Sequence, residues 1–184
     1  MKRSLIFLVF LLCGNLLSAQ VKDEKIAWDP DRPLSWSDFK GEPDASSSYT
    51  ANTNSGIGYT WSYSTASGEP QLTFEVSCNF YPKLSWVKNP ADPDYLLAHE
   101  QLHFDISELY ARKLKKALAE YEPGRSIRQD LRNIYNKYES ERVSAEKQFD
   151  RETRHSEDYE AEMAWRKKIA QELERLKNYN TSQN

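Results

Sequence analysis

Cysteine is nearly absent from this chain: Cys13 and Cys78 are the two among 184 residues. Cys13 falls in a segment read below as a removable leader. Cys78 is then alone, and one thiol cannot form an intramolecular disulfide, so a stapled fold is excluded. Basic excess is also missing. Lys and Arg total 25 against 28 Asp and Glu, a formal net charge of −3. Without a basic patch, nucleic acid is not an expected partner. Long apolar runs are lacking beyond the first twenty residues, so no integral membrane segment is expected in the mature chain. Histidine is scarce as well, with His99, His103 and His155 the three copies.

The N-terminus "MKRSLIFLVFLLCGNLLSAQ" has Lys2 and Arg3, an apolar run from Leu5 to Leu12, and small residues at Ser18 and Ala19. A basic start, a short apolar core and a small-residue exit read as a secretory signal peptide, residues 1–19, cleaved after Ala19. Leu12 is too bulky to precede an acylated Cys13, which argues against a lipoprotein. Loss of Lys2 and Arg3 leaves 23 basic residues against 28 acidic, a net charge of about −5. The remaining 20–184 has the length of one domain with a modest core. Its expected location is the periplasm or outside the cell.

Two halves differ in composition. From Ala27 to Val87 the chain is rich in Ser, Thr, Tyr, Trp, Gly and Asn. "SGIGYTWSYST" alternates over Ile57, Tyr59, Trp61 and Tyr63, and "QLTFEVSCNF" over Leu72, Phe74, Val76, Cys78 and Phe80. That period of two predicts a hairpin turning at "SGEP". A third strand near Tyr49 to Thr53 is expected to extend it, and "LSWV" to add a short further strand. From Pro93 onward Glu, Lys, Arg, Ala and Leu dominate, and three helices are expected. Asp92 and Pro93 start the first, which runs to about Tyr121. Ser126 and Gln129 suit a capping box for the second, ending near Arg151. Ser156 is the expected N-cap of the third, ending near Tyr179, with a frayed polar tail beyond. The fold class is α+β: an N-terminal antiparallel sheet packed on one helix, followed by two C-terminal helices.

The first helix carries "HEQLH", His99 to His103. At about 100° per residue, His103 lies about 40° from His99 and one turn up, with Glu100 flanking the same face. Two imidazoles can then reach one Zn2+ ion, while the carboxylate reaches water at the metal. A third ligand must come from elsewhere, because Asp105 and Glu108 point away while the helix continues. His155, at the expected break between the last two helices, is the first candidate. Asp150 is the competing carboxylate. Tyr159 is one candidate donor to a developing oxyanion. A packing helix with a chance pair of histidines is the bland alternative.

"WSDFKGEPD", "SWV", "LLAHEQLHFDISELYARKL" and "FDRETRHS", with Trp165 downstream, together resemble a family of bacterial secreted zinc-dependent proteases long filed under a domain of unknown function. The resemblance runs from about Trp28 to Trp165, and HEQxHFD is its most specific part. It implies a zincin-like metallopeptidase fold with the sheet packed on the active-site helix. In the C-terminal block Phe149, Asp150, Thr153 and His155 match the family pattern, while Ser156 stands where glycine is usual. The expected activity is zinc-dependent hydrolysis of peptide bonds in a peptide or protein substrate, with Glu100 as general base. A zinc amide hydrolase acting on cell-wall peptides and a non-catalytic zinc-binding protein are the alternatives.

Overall fold

A computed structural model describes residues 24–66, 68 and 70–182. The expected leader, residues 1–19, lies outside the described residues. Two long strands pair antiparallel, β3 (Ser55–Ser64) and β4 (Gln71–Phe80), with Ile57 opposite Cys78 and Tyr59 opposite Val76. The two-residue alternation puts Ile57, Val76, Cys78 and Phe80 on one buried face. Cys78 is a small core hydrophobe there. A two-residue strand, β1 (Ile26–Ala27), pairs with the end of β4, so β4 is the middle strand of the order β1-β4-β3.

The expected third strand of the hairpin is placed differently. β2 (Ala51–Asn52) pairs with β5 (Trp86–Val87) in a separate two-stranded sheet. Asn54 diverts the chain between β2 and β3: its N–H donates to Ser85 Oγ and its carbonyl accepts from Tyr81 N–H. Gly41 closes the same corner, because a Cβ there would lie 2.9 Å from the carbonyl oxygens of both Lys83 and Ser85.

The helices are α1 (Pro93–Ala119), α2 (Ile127–Thr153) and α3 (Tyr159–Arg175). Asp92 caps α1 as expected, accepting from Tyr95 N–H at 3.2 Å. The capping box of α2 does not form: Ser126 is the N-cap, but its side chain makes no cap hydrogen bond. The N-cap of α3 is Asp158, not Ser156, and its carboxylate accepts from Ala161 N–H at 3.1 Å. Ser156 is held instead in a left-handed turn described below.

Helix α1 is the centre of the molecule. On one side the hairpin and α2 enclose Phe104, Leu114 and Leu118 together with Phe80 and Leu131. On the other side Leu102, Ile106 and Leu109 meet Phe149 of α2 and Trp165 and Ile169 of α3. Buried side chains therefore fall all round α1, and its polar residues need internal partners. Asp105 accepts from Trp28 Nε1 and from Gln101 Nε2, both at 2.8 Å, while Gln101 Oε1 accepts from Leu34 N–H at 2.7 Å. These bonds tie the N-terminal segment to the back of the helix.

Glu108, fully buried, accepts from Arg112 Nε at 2.8 Å and from Thr181 Oγ1 at 2.6 Å. The tail expected to fray is instead docked at Thr181. Replacing Thr181 by Val removes a donor from a buried carboxylate. It is expected to cost about 1–3 kcal/mol in urea unfolding, and an unchanged midpoint would show that the tail does not hold α1.

Candidate metal centre

His99 and His103 project from α1 one turn apart, into the space between the last turn of α2 and the segment leading into β2. Phe149 of α2 fixes both rings: its centroid lies 4.5 Å from that of His99, stacked, and 5.0 Å from that of His103, edge-on. The next residue, Asp150, directs Oδ1 at them, 3.0 Å from His103 Nε2 and 3.6 Å from His99 Nε2. The ligand atoms of His99, His103 and Asp150 all lie within 4.8 Å of one another. His155 is close by but outside that group, its Nδ1 3.4 Å from Asp150 Oδ1. Among the described residues, Asp150 and not His155 is the third member of that cluster.

The donor set suits zinc. Two imidazole nitrogens and a carboxylate oxygen are its usual ligands, and imidazole disfavours calcium or magnesium. Bonds of 2.0–2.1 Å in a tetrahedron place ligand atoms about 3.3 Å apart. The two separations from Asp150 bracket that figure. Glu100 supplies an independent sign. It is 4% exposed, and its Oε2 is one of two buried side-chain polar atoms without a hydrogen-bond partner among the described residues, the other being Tyr95 Oη. A buried carboxylate oxygen left unpaired is costly, unless water or a ligand in the adjoining space answers it.

That space is a cleft of about 630 Å³. His99, Glu100, His103 and Asp150 form its floor, with Ala51 and Asn52 of β2 on one wall and Arg154 to Glu157 on the other. Tyr159, expected as a possible oxyanion donor, is instead 64% exposed and stacked on Tyr95, outside the cleft lining.

Residues 38–156 match the family described as "Bacterial protein of unknown function (DUF922)". The chain belongs to that family. No curated protein and no solved structure matches it. The matched region in this DUF922 chain runs from Asp38, which caps a turn ahead of β2, to Ser156 beside the cleft. It contains His99, Glu100, His103, Asp150 and His155.

One site residue that the sequence reading missed lies beyond the match. Glu162 of α3 is fully buried and its Oε2 lies 2.9 Å from His99 Nδ1. An ionised carboxylate can only accept, so it holds a proton on Nδ1 and leaves Nε2 as the nitrogen that faces Asp150. Arg166 Nε in turn donates to Glu162 Oε1 at 3.0 Å. The signal was on α3: Glu162 shares one helical stripe with the buried Trp165 and Ile169, a carboxylate where an apolar side chain belongs.

Charge is tightly coupled here. Burial pushes the His99 pKa down, but the hydrogen bonds to Asp150 and Glu162 outweigh it and raise it to about 9. Burial would raise the Asp150 carboxyl, but hydrogen bonds from His103 and His99 hold it well below the usual carboxylate range. Burial would likewise raise Glu162, and the His99 and Arg166 contacts lower it.

The turn after α2 is strained. Arg154, His155 and Ser156 have φ of 49°, 54° and 73°, three consecutive side-chain-bearing residues in left-handed backbone, each costing about 1–2 kcal/mol. His155 N–H donates to Asp150 carbonyl oxygen at 2.9 Å and Asp158 N–H to Thr153 carbonyl oxygen at 2.8 Å, which fixes the turn against the site.

Two outcomes follow. Ser156→Gly relieves one strained residue and is expected to raise stability by about 0.5–1 kcal/mol, less the entropy glycine adds to the unfolded chain. A loss in thermal unfolding would mean that the turn is not strained there. In chelator-treated protein, the raised His99 pKa contributes stability that is complete below about pH 6.5 and lost as pH rises through about 9. The urea midpoint should fall over that window in the wild type and stay flatter in His99→Gln.

Proposed function

We propose that this chain is an exported zinc-dependent hydrolase of peptide bonds. His99 Nε2, His103 Nε2 and an Asp150 carboxylate oxygen would hold the metal. The observation that carries the reading is the unpartnered, buried Glu100 Oε2 beside three convergent ligand atoms. Buried carboxylate oxygens in a purely structural setting are as a rule hydrogen-bonded.

Zinc, when bound, lowers the pKa of water at the site and polarises a carbonyl. The chain's own groups do the rest. Glu100 accepts the proton of the attacking water on its free oxygen and passes it to the departing amine. Glu162 keeps the His99 ring oriented, with Nε2 always the ligating atom. Phe149 closes one side of both imidazoles to water.

The substrate wall is β2, not β4. β4 is the middle strand of the order β1-β4-β3. On β2, Thr50 carbonyl oxygen accepts from Lys88 N–H at 2.7 Å on the β5 side. Alternation in an antiparallel pair then turns the Ala51 N–H and C=O to the opposite edge. Ala51 lines the cleft, and an extended peptide laid there would add a strand to the sheet. This supports a peptide substrate ahead of a small amide.

The test is metal content and hydrolysis together. Purified protein should retain about one zinc per chain and cut fluorescently labelled casein. Glu100→Gln should keep the metal and lose about 10²- to 10⁴-fold in rate. A wild type that takes up no zinc, or a Glu100→Gln variant as active as the wild type, would sink the proposal.

A further inference from the structure

We propose that the cleft is closed at one end and trims peptides from their carboxyl terminus, with Arg154 receiving the terminal carboxylate. This deepens the hydrolase reading above and rests on it. The closure is a contact between the two walls. Tyr49, from the segment leading into β2, meets His155, from the turn after α2, with ring centroids 4.2 Å apart. Both residues line the cleft. Tyr49 is 48% exposed and the His155 side chain 41%, so the rings meet at the mouth of the cleft and not in the core. This bridge stands directly beside the candidate metal centre, since His155 Nδ1 is 3.4 Å from Asp150 Oδ1. On the other side of the centre Thr53 Oγ1 donates to Glu100 carbonyl oxygen at 3.2 Å. The segment from Tyr49 to Thr53 therefore runs past the site, from the bridge to Glu100.

A peptide added to the free edge of Ala51 occupies the space that the bridge crosses. Tyr49 is two residues from Ala51, at most about 7 Å of extended chain. The peptide therefore has room for one or two residues beyond Ala51 before it meets the rings. An antiparallel peptide runs opposite to β2, so the end that stops there is its carboxyl end. The charge agrees. Arg154, next to His155 in the chain, lines the same wall, and its side chain has no ion pair or hydrogen bond among the described residues. A guanidinium offers a carboxylate two parallel N–H donors. Glu157 also lines that wall and would suit the terminal amine that a parallel peptide brings, but antiparallel pairing is the more stable of the two. The step balances as a hydrolysis: the C–N bond breaks, the hydroxyl of water stays on the acyl fragment, and its hydrogen leaves with the amine of the released piece. The strained turn holds both Arg154 and His155, and strain kept at a ligand clamp is part of how the clamp works.

The experiment gives the zinc-loaded protein one peptide sequence in several forms: with free ends, N-acetylated, as the C-terminal amide, and cyclised head to tail through a flexible linker. Mass spectrometry identifies the products. Wild type should release one- or two-residue pieces from the carboxyl end of the free and acetylated forms at equal rates. It should act about 10- to 100-fold more slowly in kcat/KM on the amide, and leave the cycle intact. Arg154→Gln should level the acid and amide rates, while Lys147→Gln, which changes another cleft-lining cation, should keep the preference. Tyr49→Ala opens the bridge and should gain cleavage of the cycle. Wild type that cuts the cycle, releases pieces from the amino end, or treats acid and amide alike would overturn the closed-end assignment and leave the hydrolase reading standing. A Tyr49→Ala variant that still spares the cycle would overturn the bridge, and an equal loss of preference in Lys147→Gln would overturn the role of Arg154. A zinc-loaded wild type that cuts none of the forms fails the hydrolase reading itself, and the assignment falls with it.

Discussion

Burial of α1 on every side is the constraint from which the rest follows. A helix with one wet face can leave its polar side chains in water. This one cannot, so each buried polar group has to be met from another element. Asp105 is met by Trp28, Ser107 by Ser55 at 2.8 Å, Glu108 by Arg112 and Thr181, and His99 by Glu162. Those contacts reach all three flanks of the helix and account for much of the tertiary arrangement. Glu100 Oε2 is the exception on the cleft side. Among the described residues Tyr95 Oη, near the start of the same helix, is the other such atom.

The site is assembled by division of labour among the helices. The α1 helix supplies two imidazoles and a carboxylate on one stripe. The last turn of α2 supplies Phe149 to pack the rings and Asp150 to face them. From α3 comes the carboxylate behind His99. The strained turn between α2 and α3 then carries His155 to the rim. Each element contributes one kind of function, and the register of α2 is what brings them together: Thr153, fully buried, donates its hydroxyl to Phe149 carbonyl oxygen at 2.8 Å and locks that final turn.

Much of this was legible in the residue order. The alternation of Ile57 to Tyr63 and Leu72 to Phe80 predicts the hairpin because a half-buried strand must alternate. Asp92 and Pro93 mark the start of α1 because cap chemistry is local. His99, Glu100 and His103 read as one face because helical geometry is local too. What was not legible depends on distant partners. Whether β2 joins β3 or β5 is decided by Asn54, Ser85 and Tyr81 bonding across a corner. That Asp150 rather than His155 clusters with His99 and His103 goes with a left-handed turn, and Ser156, where glycine was the resemblance's expectation, hides it: no propensity predicts three consecutive side-chain-bearing residues with positive φ. Ser126 has the sequence of a capping box without its geometry. Glu162 shows only as a carboxylate on the Trp165–Ile169 stripe, and Thr181 not at all, because their partners lie 63 and 73 positions away.

Those separations carry a kinetic meaning. The hairpin can close early, since its strands are neighbours along the chain. The bracing of the site cannot: Glu162 reaches His99 across 63 positions and Thr181 reaches Glu108 across 73. Contacts of such long range are paid for late in folding, after the loop entropy of closing them has been overcome. The third helix supplies both the carboxylate behind His99 and, through Trp165 and Ile169, the apolar cover of one flank of the HEQLH helix. The residues that brace the site from behind are thus drawn from the far end of the chain, so the integrity of the cleft depends on segments that do not line it.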